Sequence, residues 1–137
     1  MEGILPERGQ SIILVTIVLM ALFVFAAVAV DGARLYALRR QMQNAADAGA
    51  LAGAYQTCSE GPRGQIIYQA TAEAARFARL NEAQGVDITV NLKKNTVGVV
   101  ASITFPTFFA GLVGIPELSI QARATAMCQE YETRLVE

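Results

Sequence analysis

Residues 11–30 read SIILVTIVLMALFVFAAVAV, twenty positions without a charge, and Asp31 follows at once. Apolar residues fall on every side of a 3.6-residue period, so the segment lacks the wet face that a helix of a soluble domain keeps. As a helix it reaches roughly 30 Å, the thickness of a bilayer's hydrocarbon core. The pattern therefore predicts a membrane-spanning helix. Only Ser11 and Thr16 carry hydroxyls there, and both can bond carbonyls of the preceding turn.

Over residues 31–55 the chain stays rich in Ala, Leu, Arg and Gln, strong helix formers, with no Pro to stop it. Leu35, Leu38, Met42, Ala45, Gly49 and Ala52 recur at spacings of 3, 4, 3, 4 and 3, while Arg39, Arg40, Gln43, Asn44 and Asp47 stay off that stripe. The span and this stripe together predict one helix of about 45 residues, half in lipid and half outside, with Gly32 as a candidate kink. The stripe tapers from large to small residues. Such a packing seam admits another backbone at close range, either a sheet of the same chain or a neighbouring helix.

Residues 56–64 (QTCSEGPRG) carry turn chemistry, with Gly61, Pro62 and Gly64 as breakers. A second helix is expected over residues 65–84, folded back on the first, with Ile67, Ala70, Ala74 and Phe77 on one face and Gly85 suited to its C-cap. Glu73 and Arg76 stand one turn apart as a solvated pair. Beyond Gly85 the period changes to 2. Val86, Ile88, Val90 and Leu92 alternate with polar residues, Lys93-Lys94-Asn95 turns, and Val97, Val99, Ala101, Ile103 and Phe105 alternate again, which is a β-hairpin with one buried face. Pro106 ends its second strand, residues 107–115 (TFFAGLVGI) suit a short helical turn, and Pro116 closes it. A third strand places Leu118, Ile120, Ala122, Ala124, Ala126 and Cys128 on one side. These elements predict an α+β fold: a long N-terminal helix and a second helix packed on a small antiparallel sheet.

Length and charge narrow the picture. Apart from the span and a nine-residue leader, the 137-residue chain leaves enough for one modest domain. The net charge of −1 offers no basic field for nucleic acid. The sequence has no His, which removes the commonest general base and the commonest metal ligand, and two cysteines are too few for a zinc site. No Ser, Cys or carboxylate has a His to activate it, and there is no G-x-G-x-x-G or G-x-x-x-x-G-K-[ST] phosphate loop. Asp31, Asp47 and Glu60 are scattered, and Gly111 and Gly114 read as packing glycines. No catalytic residue, metal ligand or cofactor is therefore assigned, and the chain is not read as an enzyme.

The apolar segment has three readings. It is a permanent anchor, a signal peptide cut after Ala29 at the A-x-A run 27–29, which would release a secreted soluble binding domain, or something between the two. Orientation is contested as well. Arg8 and the terminal amine on one side face Arg34, Arg39 and Arg40 on the other, which by the positive-inside rule keeps the C-terminal domain inside. Cysteines favour an oxidising compartment outside. Cys58 lies just beyond the long helix and Cys128 at the far end of the third strand, so the two could meet at one edge. A bridge there would constrain the unfolded chain by about 4 kcal/mol, and two unlinked buried thiols are the other reading.

Glu7-Arg8-Gly9-Gln10, the apolar run, and then Asp31-x-x-Arg34-x-Tyr36-x-x-Arg39-Arg40-x-x-Gln43-Asn44-Ala45-Ala46-Asp47-Ala48-x-Ala50-Leu51-Ala52 resemble the N-terminal module of the TadE/TadG-like proteins of Flp (Tad) pilus systems. The match covers about fifty residues, and F-P-T-F-F followed by G-I-x-x-L-x-I-x-A-x-A-x-A is similar to that family's short extracellular domain. The resemblance implies a pilin-like protein handled by a type IV pilus-related machine. Its apolar helix waits in the cytoplasmic membrane as a single pass, with the C-terminal domain outside. That orientation overrides the charge count and agrees with a disulfide between Cys58 and Cys128. It also implies three regions: a leader at residues 1–9, a transmembrane or filament-core helix at 10–30, and an extracytoplasmic pilin-like domain at 31–137. Leader cleavage would fall between Gly9 and Gln10; the fifth residue after the cut, usually Glu in prepilins, is Leu14 here.

The first functional expectation is thus a structural subunit of an extracellular Tad-type pilus, assembling by helix packing into a helical filament for surface attachment and cell adhesion. Its partners would be the membrane, further copies of itself or other pilins, and the Tad secretion machinery. A non-polymerising, membrane-anchored accessory protein of pilus assembly is the alternative, and Leu14 is its best argument.

Overall fold

One unbroken helix, α1 (Arg8–Thr57, 50 residues), carries both the apolar span and the small-residue stripe in the computed structural model, which describes residues 8–129. The absence of Pro and the run of Ala, Leu and Arg explain its continuity, and it passes through Gly32 without a break. Within the span the Thr16 hydroxyl donates to Ile12 O at 2.8 Å, so even its polar side chain is closed within the helix. Of the expected leader, residues 1–7 lie outside the described residues, and Gly9 and Gln10 belong to the first turn of α1.

The turn after Thr57 ends at Pro62, which N-caps α2 (Arg63–Leu80). Gly64, expected as a breaker, lies inside the first turn of α2. The helix also ends four residues earlier than expected, and Gly85 opens a strand instead of capping it. Glu82 takes the left-handed conformation (φ 67°), its N–H donates to Arg79 O, and the Ala83 N–H reaches back to Ala78 O. This is a Schellman closure with Ala83 and Ala78 both buried, built on Glu where Gly is the usual choice. The Glu82 carboxylate in turn accepts a hydrogen bond from Gln41 Nε2 of α1.

Strands β1 (Gly85–Asn91), β2 (Thr96–Pro106) and β3 (Glu117–Met127) form an antiparallel sheet in the order β1-β2-β3. In the hairpin Ile88 pairs with Val99 and Val90 with Val97, so the alternating apolar residues share one face as the period of 2 requires. The expected turn forms after Asn91, whose side chain accepts the Lys93 N–H at 3.1 Å, and Asn95 takes a positive φ of 49°. Between β2 and β3 a 3-10 turn (Ala110–Val113) occupies the apolar connection. Its Gly114 is required for conformation, not packing: it closes the turn with a φ of 91° that a side chain would resist.

Helix α1 packs on α2, β2 and β3, and α2 also reaches β1. The core between them is made largely of alanine: Ala45, Ala46, Ala50 and Ala54 of α1, Ala70, Ala74 and Ala78 of α2, closed by Val97, Val99 and Phe105 of the sheet. Small side chains bring backbones together. A Cβ on Gly49 would stand 2.9 Å from Ala74 O, and one on Gly53 would stand 3.0 Å from Ala70 O. The 11 residues of β2 extend roughly 36 Å, close to the roughly 39 Å of α1 from residue 31 to residue 57. The sheet therefore runs the length of the helix between the end of the span and its C-terminus, and both ends are tied.

Candidate functional site

Asp31 is the first charge after the apolar run, and its carboxylate is not free. Oδ1 accepts the Phe108 N–H at 3.2 Å, and Oδ2 accepts the Phe109 and Ala110 N–H groups at 3.0 and 2.9 Å. The side chain thereby satisfies the donors that open the 3-10 turn, as a capping residue does, but from 79 residues away in sequence for Ala110. The hydrogen bond from Ala110 is the largest influence on its acidity. Despite opposition from partial burial, it acts with those from Phe109 and Phe108 and with the Arg34 charge to hold the carboxyl below the ordinary 3.8.

One turn further on, Arg34 completes the clamp. Its Nη1 donates to Pro106 O at 3.0 Å, and the guanidinium lies 5.4 Å from the Phe105 ring centroid and 4.8 Å from that of Phe108. The i, i+3 spacing puts both charges on one side of α1. Together they fasten the end of β2 and the start of the connecting loop to the point where the apolar span ends. The loop's own apolar side chains face outward: Phe108 is 64% exposed and Leu112 is 83% exposed, with Phe109 and Ile115 nearly half so.

The opposite end of the sheet is tied covalently. Cys58 and Cys128, 70 residues apart in sequence, form a disulfide with their Cα atoms 6.0 Å apart. Asn95 O accepts the Cys128 N–H at 2.9 Å and lies 3.2 Å from the Thr57 hydroxyl, which joins the end of α1, the hairpin turn and the end of β3.

The stripe proposed for helix packing is placed unevenly. Met42 and Ala45 are fully buried and Gly49 is buried against Ala74, Ala78 and Val99, all within this chain. Leu38 and Ala52 are half-buried, and Leu35 is 40% exposed. The buried band of α1 also takes in Ala46, Ala50, Gly53 and Ala54, which the 3-and-4 spacing left out. Among residues so uniformly small, hydropathy gives no contrast to mark a face.

In the sequence Asp31 is one of several scattered carboxylates and Arg34 one of several charges beyond the apolar run, and both belong to the Asp31-x-x-Arg34 string of the family resemblance. Their position just past the span and their i, i+3 spacing were visible. Their partners were not, because backbone N–H and C=O groups leave no mark in a sequence. The clamp contains no nucleophile paired with a base. Among the described residues no three His, Cys, Asp or Glu side chains gather as a metal site. What the arrangement does is position: it fixes an apolar loop beside an apolar helix.

No curated protein and no solved structure matches the chain. Residues 9–56, from the head of the apolar span to the last turn of α1, match the model of the TadE/G-like Flp pilus-assembly family.

Proposed function

We propose that the protein is a structural, pilin-like subunit of a Tad-type pilus, held by residues 10–30 in the cytoplasmic membrane with residues 31–137 outside, and that it catalyses no reaction. The observation that carries this reading is the single helix whose first part is apolar and exposed on all sides and whose second part is the spine of a folded domain. In a membrane the exposed part is solvated by lipid; in a filament the same part of neighbouring copies replaces the lipid, as apolar helices do when they exchange one apolar neighbour for another. The Cys58–Cys128 disulfide supports an oxidising location for the domain. Leu14, at the fifth position after a cut at Gly9, favours a second reading: an anchored accessory protein of pilus assembly that does not polymerise.

The two separate by intact mass, measured without reductant on sheared surface material and on membranes. A chain beginning at Gln10 in the sheared fraction supports the subunit. A full-length chain found only in membranes supports the accessory protein. A chain beginning at Val30 overturns both in favour of a secreted domain.

A further inference from the structure

We propose that the loop of residues 107–115 is a second membrane contact, a shoulder whose Phe108, Phe109, Leu112 and Ile115 side chains enter the headgroup boundary of the leaflet from which α1 emerges. The inference rests on the reading that residues 11–30 span a bilayer.

Three observations place lipid there. The first is position. The loop's amides are bonded to the side chain of Asp31, the residue directly after the span, so the loop is held at the depth where the helix leaves the hydrocarbon. The second is composition. No charge occurs from Phe105 to Pro116, and Phe108, Phe109, Leu112 and Ile115 are all at least 44% exposed, Leu112 at 83%. An apolar patch continuous with a membrane span finds the same solvent as the span. The third is the backbone. Irregular backbone is costly near lipid unless its polar groups are satisfied internally. Here the N–H groups of Phe108, Phe109 and Ala110 go to Asp31, Thr107 N–H goes to Pro116 O, and those of Leu112, Gly114 and Ile115 go to carbonyls of the same loop. The Thr107 hydroxyl donates to Ile115 O at 2.5 Å. Arg39 and Arg40 of α1 are exposed eight and nine residues beyond Asp31, roughly 12–14 Å along the helix, within reach of lipid phosphates for side chains of that length.

The sequence has no Trp, so a single introduced Trp reports its surroundings alone. The full chain is reconstituted in phosphatidylcholine vesicles carrying lipids brominated near the headgroup or at the chain centre. Three variants are compared: Leu112→Trp in the loop, Phe23→Trp in the span and Tyr68→Trp on α2. Tyr68 is 74% exposed, and its helix packs near residue 53 of α1, which sets it roughly 35 Å beyond the span. Leu112 is exposed enough to accept the larger ring without disturbing the fold. The expected result is a blue-shifted Leu112→Trp emission, quenched most by headgroup-proximal bromine, beside Phe23→Trp quenched from the chain centre and Tyr68→Trp quenched only by aqueous acrylamide. If Phe23→Trp is quenched by brominated lipid and Leu112→Trp only by acrylamide, the shoulder is overturned and the span stands. A Leu112→Trp shielded from both quenchers means that protein covers the loop, which also overturns it. A Phe23→Trp that no brominated lipid quenches removes the span, and the shoulder with it.

Discussion

The two parts of α1 share one backbone and differ in what surrounds it. In residues 11–26 every side chain is exposed, and Phe23 and Phe25 stand at 73% and 74%. In residues 42–57 the buried positions are Met42 and a set of alanines and glycines ending at Thr57, closed by α2 and the sheet. The first part carries bulk and hides none of it; the second hides almost no bulk. Hydrophobic stabilisation scales with the apolar area removed from water, so the first part gains only from lipid or another helix. The second gains from close backbone approach and from side chains that lose little rotamer freedom on burial. Stability of the folded domain should therefore respond to changes in residues 42–57 and its ties, and ignore changes in the span.

The largest effect is expected at the covalent tie. Replacing Cys58 and Cys128 together with Ser removes a constraint on the unfolded chain worth about 4 kcal/mol for a loop of this length. Urea unfolding of the full chain in detergent micelles should show the midpoint fall by the corresponding amount. The pair Phe23→Leu and Phe25→Leu, more exposed than any core residue, should leave it in place. Equal effects of the two pairs would mean that the parts of α1 unfold as one unit.

Glycines of the same helix should give opposite signs. Gly49→Leu drives a side chain into Ala74 O and Ala78 and should cost about 3 kcal/mol, since the obstacle is backbone of α2. A Cβ on Gly32 meets nothing within 4 Å, and Gly32→Ala should gain up to about 1 kcal/mol from helix propensity. Thermal unfolding of both variants decides the matter, and a loss at Gly32 would reveal a neighbour in the assembly.

Glu82 is a smaller, local conflict within the domain. Its left-handed φ of 67° disfavours any side chain, and Glu82→Gly relieves that at the cost of greater freedom in the unfolded chain and of the Gln41 contact. A net gain of about 0.5 kcal/mol is expected, read as a small upward shift of the unfolding midpoint.

The same contrast governs what the sequence made legible. The apolar segment was plain because a charge-free run of twenty residues, fourteen of them large and apolar, leaves no wet face, and the strands were plain because Val86, Ile88 and Val90 alternate with polar residues and Val97 to Phe105 repeat with a period of 2 interrupted only at Val100. The buried band of α1 was only half legible: its positions are Ala and Gly, and Ala occurs on the exposed side too. The end of α2 was misplaced because a Glu took the conformation that Gly85 advertised. The clamp was the least legible part, since Asp31 and Arg34 bind main-chain groups 72 to 79 residues away whose identity no side chain encodes.

That clamp is the joint between the two parts, and its loss should be the smallest change in global stability and the most local in effect. Asp31→Asn keeps an acceptor oxygen but loses the charge that strengthens bonds from three N–H groups. The unfolding midpoint should stay within about 0.5 kcal/mol of the parent, as for most substitutions outside the core. The amide resonances of Phe108, Phe109 and Ala110 should move. Acid should reproduce the variant. The docked Asp31 has its proton affinity lowered below the ordinary 3.8, so docking is complete above that pH and is lost as pH falls through the lower value of the docked state. The three amides should therefore titrate together with a midpoint below 3.8 in the parent and stay flat in Asp31→Asn. A parent midpoint at or above 3.8 would place the loop off the carboxylate, leaving Arg34, through Pro106 O, as the side-chain tie between α1 and the end of β2.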